Sequence, residues 1–325
     1  MAFANVNVSD IVATTIENRS KKIADNVTKN NALLRRLEQR GNVRTISGGS
    51  TILEELSFDE NKNAGWYSGY DLLPVAAQDV ISAAQYDIKQ AACPVIISGL
   101  DELKNNGKEQ MIDLLEARVK VAESSMMNLL AAGVYANGTG SAGKQLAGLD
   151  AAVPVNPATG VYGGIDRSNA LYSFWRSQSQ TMGAAVTPAN VQAAFNTMWA
   201  SLVRGSDRPD LIVVDNAMWG AFMASLQAQQ RFVSGDTGGL GFPSLKYMDS
   251  DIVLDGGIGG FATTKTAYFL NTKYLFFRPH SDRNMVPLSP NKRYAINQDA
   301  SVEILAWAGA MTCSGAQFQG RLISP

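Results

Sequence analysis

Two glycine-rich segments of this chain have a spacing that can cradle the phosphates of a dinucleotide. Gly138, Gly140 and Gly143 form a G-x-G-x-x-G pattern, and residues 257–262 form the looser G-x-G-x-x-A pattern. Dinucleotide binding needs a strand before such a loop and a helix after it, so that the helix N-terminus faces the phosphates. The first pattern follows a long predicted helix, and the second precedes TTKTAYFLN, whose β-branched and aromatic residues predict a strand. Neither segment has the context of a cofactor site, although a nucleotide-binding α/β enzyme using residues 257–262 stays an alternative.

The candidates for acid–base or metal chemistry do not converge either. His280 is the single histidine, and with Asp282 it supplies fewer ligands than the three or four that a zinc site needs. Glu54 and Glu55 are neighbours on a predicted strand, so their side chains point to opposite faces and make a poor acid–base pair. We therefore expect no catalytic residue, no cofactor and no metal ion.

Composition narrows the classes of partner. The chain has 325 residues, with 28 basic and 29 acidic side chains, so its net charge is close to zero. A dedicated nucleic-acid binder would carry a basic surface that releases phosphate counterions, and this balance argues against one. It does not exclude a protein that encloses DNA, and a small net charge gives little repulsion between copies.

The N-terminus and the cysteines indicate the compartment. The first residues lack the basic segment and apolar core of a secretory signal, and no window reaches 18 consecutive apolar residues. Cys93 and Cys313 lack C-x-x-C spacing and are predicted to be free thiols. We expect a soluble, cytoplasmic protein with no membrane partner.

The first hundred residues predict extensions rather than a private core. Residues 8–41 predict a helix with a thin apolar stripe, which lies either on its own domain or on a neighbouring subunit. Residues 43–98 predict a long two-stranded ribbon that carries Trp66, Tyr67 and Tyr70. A two-stranded ribbon is only marginally stable in water unless another surface covers one of its faces. Exposed aromatic residues on it indicate a partner surface. The residue pattern alone therefore indicates assembly.

A long helix and an α/β region follow. Apolar residues at spacings of three and four predict a helix over residues 100–133, about 50 Å long at 1.5 Å per residue. Residues 138–148 predict a loop. Beyond it we predict a helix from Thr187 to about Arg204, a buried strand within residues 210–216 and a helix over residues 217–230. Residues 266–279 predict one long strand or a pair, and the tail from 302 to 307 alternates like a strand.

The segment between the long helix and the α/β region is the most distinctive. It contains a G-L-x-x-x-V-x-x-x-P turn from Gly148, then YGGIDRS from Tyr162, then Trp175 and Arg176. This pattern resembles the junction between the two domains of the major capsid protein of tailed double-stranded DNA bacteriophages. The segments WASLVRG, PDLIVVD, GFPSLKYM and YFLNTKYL also look like this family, and their order makes the resemblance strong.

The resemblance implies an α+β fold of the HK-ninety-seven type, with an N-terminal arm, an extended β-hairpin loop, a P-domain with a long spine helix, and an α/β A-domain. The expected limits are residues 1–45 for the arm, 46–98 for the extended loop, 99–149 for the spine helix and its loop, 150–282 for the A-domain, and 283–325 for the strands that return to the P-domain.

The implied function is structural. Copies in pentamers and hexamers would build an icosahedral shell around double-stranded DNA, without sequence-specific binding. The implied location is the virion capsid, assembled in the host bacterial cytoplasm, and a portal protein and a possible decoration protein are implied partners. Because the sequence begins close to the arm, we expect a separate scaffolding protein.

The resemblance also implies site residues. The expected inter-subunit contacts of the extended loop are Glu54, Glu55, Asp59, Trp66, Tyr67 and Tyr70. Those of the arm are Arg35, Arg36 and Arg40. The expected domain junction comprises Tyr162, Gly163, Gly164, Asp166, Arg167, Trp175 and Arg176.

Two points qualify this interpretation. Some relatives join lysine to asparagine covalently between subunits, but neither Lys62 nor Lys89 can be matched to that chemistry, so we predict non-covalent assembly. An encapsulin-like bacterial compartment has the same fold with a different cargo. It stays an alternative, although no cargo-peptide groove is visible in the sequence.

Overall fold

The computed structural model describes residues 31–57, 63–72, 76, 81–98, 114–227, 244–256, 260–288, 293–294 and 300–325. The longer helices in these ranges are α1 (Ala32–Gln39), α2 (Leu114–Tyr135), α3 (Val191–Leu202) and α4 (Asn216–Gln227). Short helical turns span Gly140–Gly143, Leu149–Ala152, Ala170–Trp175, Thr272–Tyr274 and Ala316–Phe318.

The strands fall into sheets that mix near and distant parts of the chain. In chain order they are β1 (Thr51–Ser57), β2 (Ile81–Asp87), β3 (Lys89–Ser98), β4 (Val161–Tyr162), β5 (Ile165–Asp166), β6 (Gln178–Thr181), β7 (Leu211–Val214), β8 (Ser244–Tyr247), β9 (Ser250–Leu254), β10 (Thr266–Leu270), β11 (Leu275–Pro287), β12 (Arg293–Tyr294), β13 (Ala300–Cys313) and β14 (Gly320–Ile323). This mixture of helices and sheets agrees with the predicted α+β class.

A six-stranded sheet forms the centre of the α/β region. Its strand order is β6-β14-β10-β7-β9-β8, with parallel pairs β6–β14 and β7–β9 and antiparallel pairs elsewhere. Every residue of β7 and β10 is buried, as expected for central strands covered on both faces. Helices α3 and α4 contribute Phe195, Trp199 and Phe222 to the core on one face.

A second sheet is built around the 14-residue strand β13. Its residues 300–309 pair with the whole of β3 on one side, and β13 pairs with β11 and β12 on the other. Helix α2 packs on β3, and its inward residues Val119, Met126, Leu130 and Val134 are buried. Because these residues recur at spacings of four and seven, they form one apolar face of the helix.

The ribbon is an antiparallel pair whose register runs from Thr51↔Asp87 to Ser57↔Ile81. On β1 the side chains of Ile52, Glu54 and Leu56 are buried, whereas Thr51, Leu53 and Glu55 are exposed. Because side chains alternate across a strand, one face of β1 packs on the subunit and the other stays open to solvent.

The described part of the arm is short and belongs to its own subunit. Helix α1 begins with the side chain of Asn31 accepting hydrogen bonds from the Leu33 and Leu34 N–H groups, at 3.0 and 3.1 Å. It ends where Gly41 adopts φ +71° and the Asn42 N–H bonds to the Leu37 carbonyl, which is the pattern of a Schellman cap. The predicted helix over residues 8–41 therefore stops at Gln39, and residues 8–30 lie outside the described ranges.

The other element boundaries shift for local reasons. Helix α3 begins at Val191 rather than Thr187, because residues 187–190 form a turn in which the Asn190 side chain accepts from the Thr187 N–H. Residues 100–113 of the predicted long helix lie outside the described ranges, and α2 continues to Tyr135. Residues 266–279 form β10 and the start of β11, separated by a helical turn.

The tail divides between the two sheets. Residues 283–325 are predicted to return together, and β13 does pair with β3, but β14 lies between β6 and β10 in the six-stranded sheet. The predicted boundary at residue 282 also falls inside β11, which continues through irregular pairing between Pro279 and Asn284. The domain limits themselves stay predictions. None of the described helices is long and apolar enough to cross a membrane.

Candidate inter-subunit site and domain junction

The candidate residues for cofactor, acid–base or metal chemistry do not form a common site in the described part of the chain. The Gly138–Gly143 pattern follows α2, and Ser141 and Ala142 within it adopt φ +53° and +56°. The Asp282 N–H donates to Nδ1 of His280 at 3.1 Å, which makes a local turn. Among the described residues, no group of three or more His, Cys, Asp or Glu could hold a metal ion. Residues 257–259 of the second glycine pattern lie outside the described ranges.

Both cysteines are free thiols, as predicted. Burial raises the pKa of Cys313 to about 12 and raises the pKa of Cys93 from its ordinary value. Thiolates are the reactive form, so raised pKa values keep both side chains mainly protonated at neutral pH, and Cys313 is buried as well.

The ribbon tip, residues 63–72, presents its aromatic residues to solvent. Trp66 and Tyr70 are fully exposed, 68% of Tyr67 is exposed, and Leu72 is fully exposed as well. Large apolar side chains gathered on one projecting segment favour a partner surface over chance exposure. Asp59, the remaining predicted contact beyond β1, lies outside the described ranges.

The predicted contacts Glu54 and Glu55 lie on opposite faces of β1. Glu55 is exposed, whereas Glu54 is 7% exposed and its Oε1 accepts from Nε and Nη2 of Arg278 at 2.9 and 2.6 Å. The Thr312 hydroxyl donates to the same oxygen at 2.7 Å. Glu54 therefore fastens the ribbon to β11 and β13 of its own subunit.

The arm arginines dock α1 onto the six-stranded sheet. Arg36 Nε lies 3.1 Å from Asp210 Oδ2, its Nη1 lies 3.4 Å from Asp251 Oδ2, and Arg40 Nη2 lies 3.1 Å from Asp210 Oδ2. Leu33, Leu34 and Leu37 of the same helix are fully buried, and Arg35 lies on this helix too. For the described residues, the arm thus packs on its own domain, and additional contacts of its arginines with a neighbour stay a prediction.

The junction is built on a tight hairpin. Strands β4 and β5 are joined by Gly163 and Gly164, whose φ values of +59° and +74° suit glycine in a two-residue turn. The Gly163 carbonyl accepts from the Gln85 N–H at 2.9 Å, so the hairpin rests on β2 of the ribbon. Tyr162 packs edge-on against Tyr86, with ring centroids 5.4 Å apart.

Arg167 and Trp175 hold this hairpin against the helical turn Leu149–Ala152. Arg167 is 1% exposed, and its Nη1 and Nη2 donate to the carbonyls of Ala151 and Ala152 at 3.0 and 2.7 Å. Burial lowers the pKa of Arg167 from its ordinary value. Trp175 Nε1 donates to the Tyr162 carbonyl at 2.8 Å, and the two rings are stacked. The helical turn Leu149–Ala152 therefore has its last carbonyls satisfied by a buried cation.

The other two predicted junction residues shape the loop after the hairpin. Both Oδ atoms of Asp166 accept from the Ser168 hydroxyl, and Oδ1 also accepts from the Ser168 N–H. These hydrogen bonds lower the pKa of Asp166. Arg176 Nε donates to the Arg167 carbonyl at 2.8 Å. The structure thus brings the predicted junction residues together in one cluster.

The close approach of Gly163 to the ribbon predicts a position-specific effect. A Cβ at Gly163 would lie 2.9 Å from Cβ of Ala84 and 3.1 Å from Oη of Tyr86, whereas one at Gly164 would meet only Gln85 Cβ at 3.7 Å. Both substitutions to alanine suffer the left-handed backbone, at about 1 kcal/mol, and Gly163→Ala adds overlap of about 1–2 kcal/mol. Urea unfolding should therefore show that Gly163→Ala lowers the free energy of unfolding more than Gly164→Ala does. Equal losses would mean that the hairpin does not press on the ribbon.

Several residues important to this region carry no local sequence signal. The Tyr86 hydroxyl donates to the Cys313 carbonyl at 2.7 Å, and burial raises its pKa well above the ordinary value. Arg321 of β14 donates to Asp150 Oδ1 at 2.8 Å, which ties the six-stranded sheet to the same turn that Arg167 binds. Alternation on β1 and β2 could have marked one face as buried, but it could not name these partners.

Comparison with known proteins gives a consistent result at the level of the fold. No protein-family model and no curated protein matches this sequence. Among solved structures, the capsid asymmetric unit of cyanophage A-1(L) is similar with a TM-score of 0.63 and 14% identity, covering 99% of this chain and 96% of that one. The capsid of a native GTA particle has a TM-score of 0.60 and 13% identity, covering 100% and 95%. A structure from Mycobacterium phage Bobi has a TM-score of 0.55 and 12% identity, covering 100% and 96%.

These similarities extend over nearly the full length of each chain, so they concern the whole arrangement of arm, ribbon, helix and sheets. The chain therefore has the fold of phage capsid proteins. The resemblance drawn from the junction motif is confirmed at this level.

Proposed function

We propose that this chain is the structural subunit of an icosahedral phage capsid, and that its copies enclose double-stranded DNA. The carrying observation is a capsid fold over the whole chain, combined with a projecting ribbon whose aromatic residues are exposed in the isolated subunit. Soluble monomers rarely expose several large aromatic side chains on one segment, so the exposure of Trp66, Tyr67 and Tyr70 favours a surface that another molecule covers. The protein acts by binding copies of itself rather than by catalysis.

The proposal includes the arrangement and the partners. Copies form pentamers and hexamers, in which a projecting segment of one copy lies on the body of the next. Such head-to-tail contacts close into rings when the rotation fits. A scaffolding protein assists assembly in the host bacterial cytoplasm, a portal protein occupies one vertex, a decoration protein can bind the outer face, and the product is the virion capsid.

Negative-stain electron microscopy of the purified protein, with and without the product of a neighbouring scaffold gene, tests this function. We expect closed shells, or rings of five and six copies. A monodisperse monomer under every condition would contradict the proposal. Shells from infected cells that hold a protein cargo instead of DNA would indicate an encapsulin-like compartment.

The ribbon tip provides the corresponding mutational prediction. We expect the triple variant Trp66→Ala, Tyr67→Ala and Tyr70→Ala to stay folded, because these side chains make no core. Aromatic anchors in interfaces commonly contribute about 2 kcal/mol or more each, so the concentration needed for assembly should rise more than about tenfold. Circular dichroism checks the fold, and light scattering with microscopy measures the yield of shells.

A matched control separates this effect from a general loss of apolar surface. Leu171 is 80% exposed and lies outside the ribbon, and Leu171→Ala should assemble nearly as well as the unmodified chain. Normal yield and thermal stability of shells from the triple variant would remove the ribbon from the contact.

A further inference from the structure

An open groove lies where the ribbon strand β1 meets four other separate parts of the chain. Its volume is about 350 Å³, and its walls include Phe174 after the junction hairpin, Tyr274 before β11 and Phe318 in the last helical turn. The rings of Tyr274 and Phe318 are stacked with centroids 4.6 Å apart. Glu55 and Arg204, both exposed, also line it. We call this feature the aromatic groove.

The groove combines aromatic and polar walls, which suits the indole of a tryptophan, because its ring is apolar and its N–H needs a polar partner. Its aromatic walls are partly buried, so they are already held in place by the subunit and need little ordering on binding. Interface anchors are typically an aromatic side chain in such a preformed pocket, with polar residues around the rim. A carboxylate and a guanidinium at the rim add polar contacts that orient the incoming segment.

The ribbon tip carries the complementary features. Trp66 is fully exposed and lies ten residues beyond Leu56, which itself lines the aromatic groove. The tip is therefore not seated in the groove of its own subunit. Asp71 is exposed on the same segment and can face Arg204. One chain thus presents an uncovered indole with a nearby carboxylate, together with an aromatic groove whose rim holds a guanidinium and a carboxylate.

We propose that the aromatic groove of one copy receives Trp66 from the ribbon tip of a neighbouring copy. The inference rests on the proposed function and names the surface at which neighbours meet. Because Glu55 and Leu56 belong to the ribbon of the receiving copy, the occupied groove also supports the ribbon that must reach the next copy. Successive contacts around a ring therefore favour one another, which suits a head-to-tail interface.

Cross-linking between two differently marked subunits tests the contact directly. One preparation carries Ser68→Cys, which keeps all three aromatic residues of the ribbon tip, and the other carries Gln317→Cys, at a residue that lines the groove. Both carry Cys93→Ser, and Cys313 is buried. After mixed assembly, a short bismaleimide should give a covalent dimer on a denaturing gel, and neither preparation alone should give one. The control partner is Val121→Cys, which is 66% exposed on α2 and should give at least about tenfold less dimer.

The outcomes separate this inference from the proposed function. Shells that form without the Ser68→Cys to Gln317→Cys dimer, or with an equal yield of dimer at Val121→Cys, overturn the groove contact and leave the shell function standing. If the unmodified chain forms no rings or shells under any condition, the proposed function fails first.

A charge reversal provides a second measurement that needs no cysteine. Arg204→Glu should slow assembly about fivefold at low salt and less at high salt, because rim charges act mainly on association rates. Arg208 is exposed on the same loop and pairs with Asp249 at 2.9 Å, so Arg208→Glu is the matched control and should stay close to the unmodified rate. Equal rates for both variants would contradict the position of the contact.

Discussion

Replacing Arg167 by methionine should lower the free energy of unfolding by about 3–5 kcal/mol, because two charge-assisted hydrogen bonds disappear. The guanidinium is buried and donates to the carbonyls of Ala151 and Ala152. Methionine keeps much of the side-chain volume but has no donor, so these carbonyls lose their partner. The stacking of the guanidinium over the Tyr162 ring, at 4.8 Å, is lost as well.

Urea unfolding of the unassembled subunit measures this effect, followed by tryptophan fluorescence, since Trp175 lies in the junction. Arg176→Met is the matched control, because it removes an arginine from the same segment. Arg176 makes one short bond, to the Arg167 carbonyl, and two of 3.3 Å to exposed carbonyls. Its loss should cost about 1 kcal/mol, and a similar cost for both variants would contradict the clamping role of Arg167.

The second large effect is expected at Glu54. Glu54→Ala leaves the mostly buried guanidinium of Arg278 without its carboxylate and deprives the Thr312 hydroxyl of its acceptor. Removing one partner of a buried ion pair typically costs about 3–5 kcal/mol. We expect a loss of that size in the free energy of unfolding, and a ribbon less firmly attached to β11 and β13.

Two controls identify the cause of this loss. Glu55→Ala changes the neighbouring carboxylate on the exposed face, and it should alter stability by no more than about 0.5 kcal/mol. The double variant Glu54→Leu with Arg278→Met removes both charges, and it should recover much of the stability, because an apolar pair needs no ionic partner. A double variant as unstable as Glu54→Ala would show that the ion pair is not the source of the effect.

Local patterns in the sequence were sufficient for several parts of this fold. The spacing of apolar residues predicted α2 and α4, and the apolar run before Asp215 predicted the buried strand β7. The aromatic residues of the ribbon indicated an exposed partner surface. These features follow from residue type and short-range periodicity, which the sequence contains directly.

The partners of the buried polar residues depended on the tertiary structure. Alternation places Glu54 and Glu55 on opposite faces, but Arg278 and Thr312 are 224 and 258 positions away, so the sequence does not identify them as the partners of Glu54. The last strand is a similar case. Its pattern suits either sheet, and the choice of β6 and β10 as neighbours is made by packing and by the bonds of Arg321 to Asp150.

By itself, then, the sequence determined the main helices, the buried strand β7, the exposed ribbon tip and the resemblance to the capsid fold. Only the tertiary structure decided that α1 docks on its own domain, that Arg167 binds the carbonyls of the Leu149–Ala152 turn, and that five separate segments form the aromatic groove. The physical reason is the range of the interactions. Periodicity and turn preference act over a few residues. Ion pairs, buried hydrogen bonds and grooves join residues that are far apart in the chain and come together in space only when the sheets assemble.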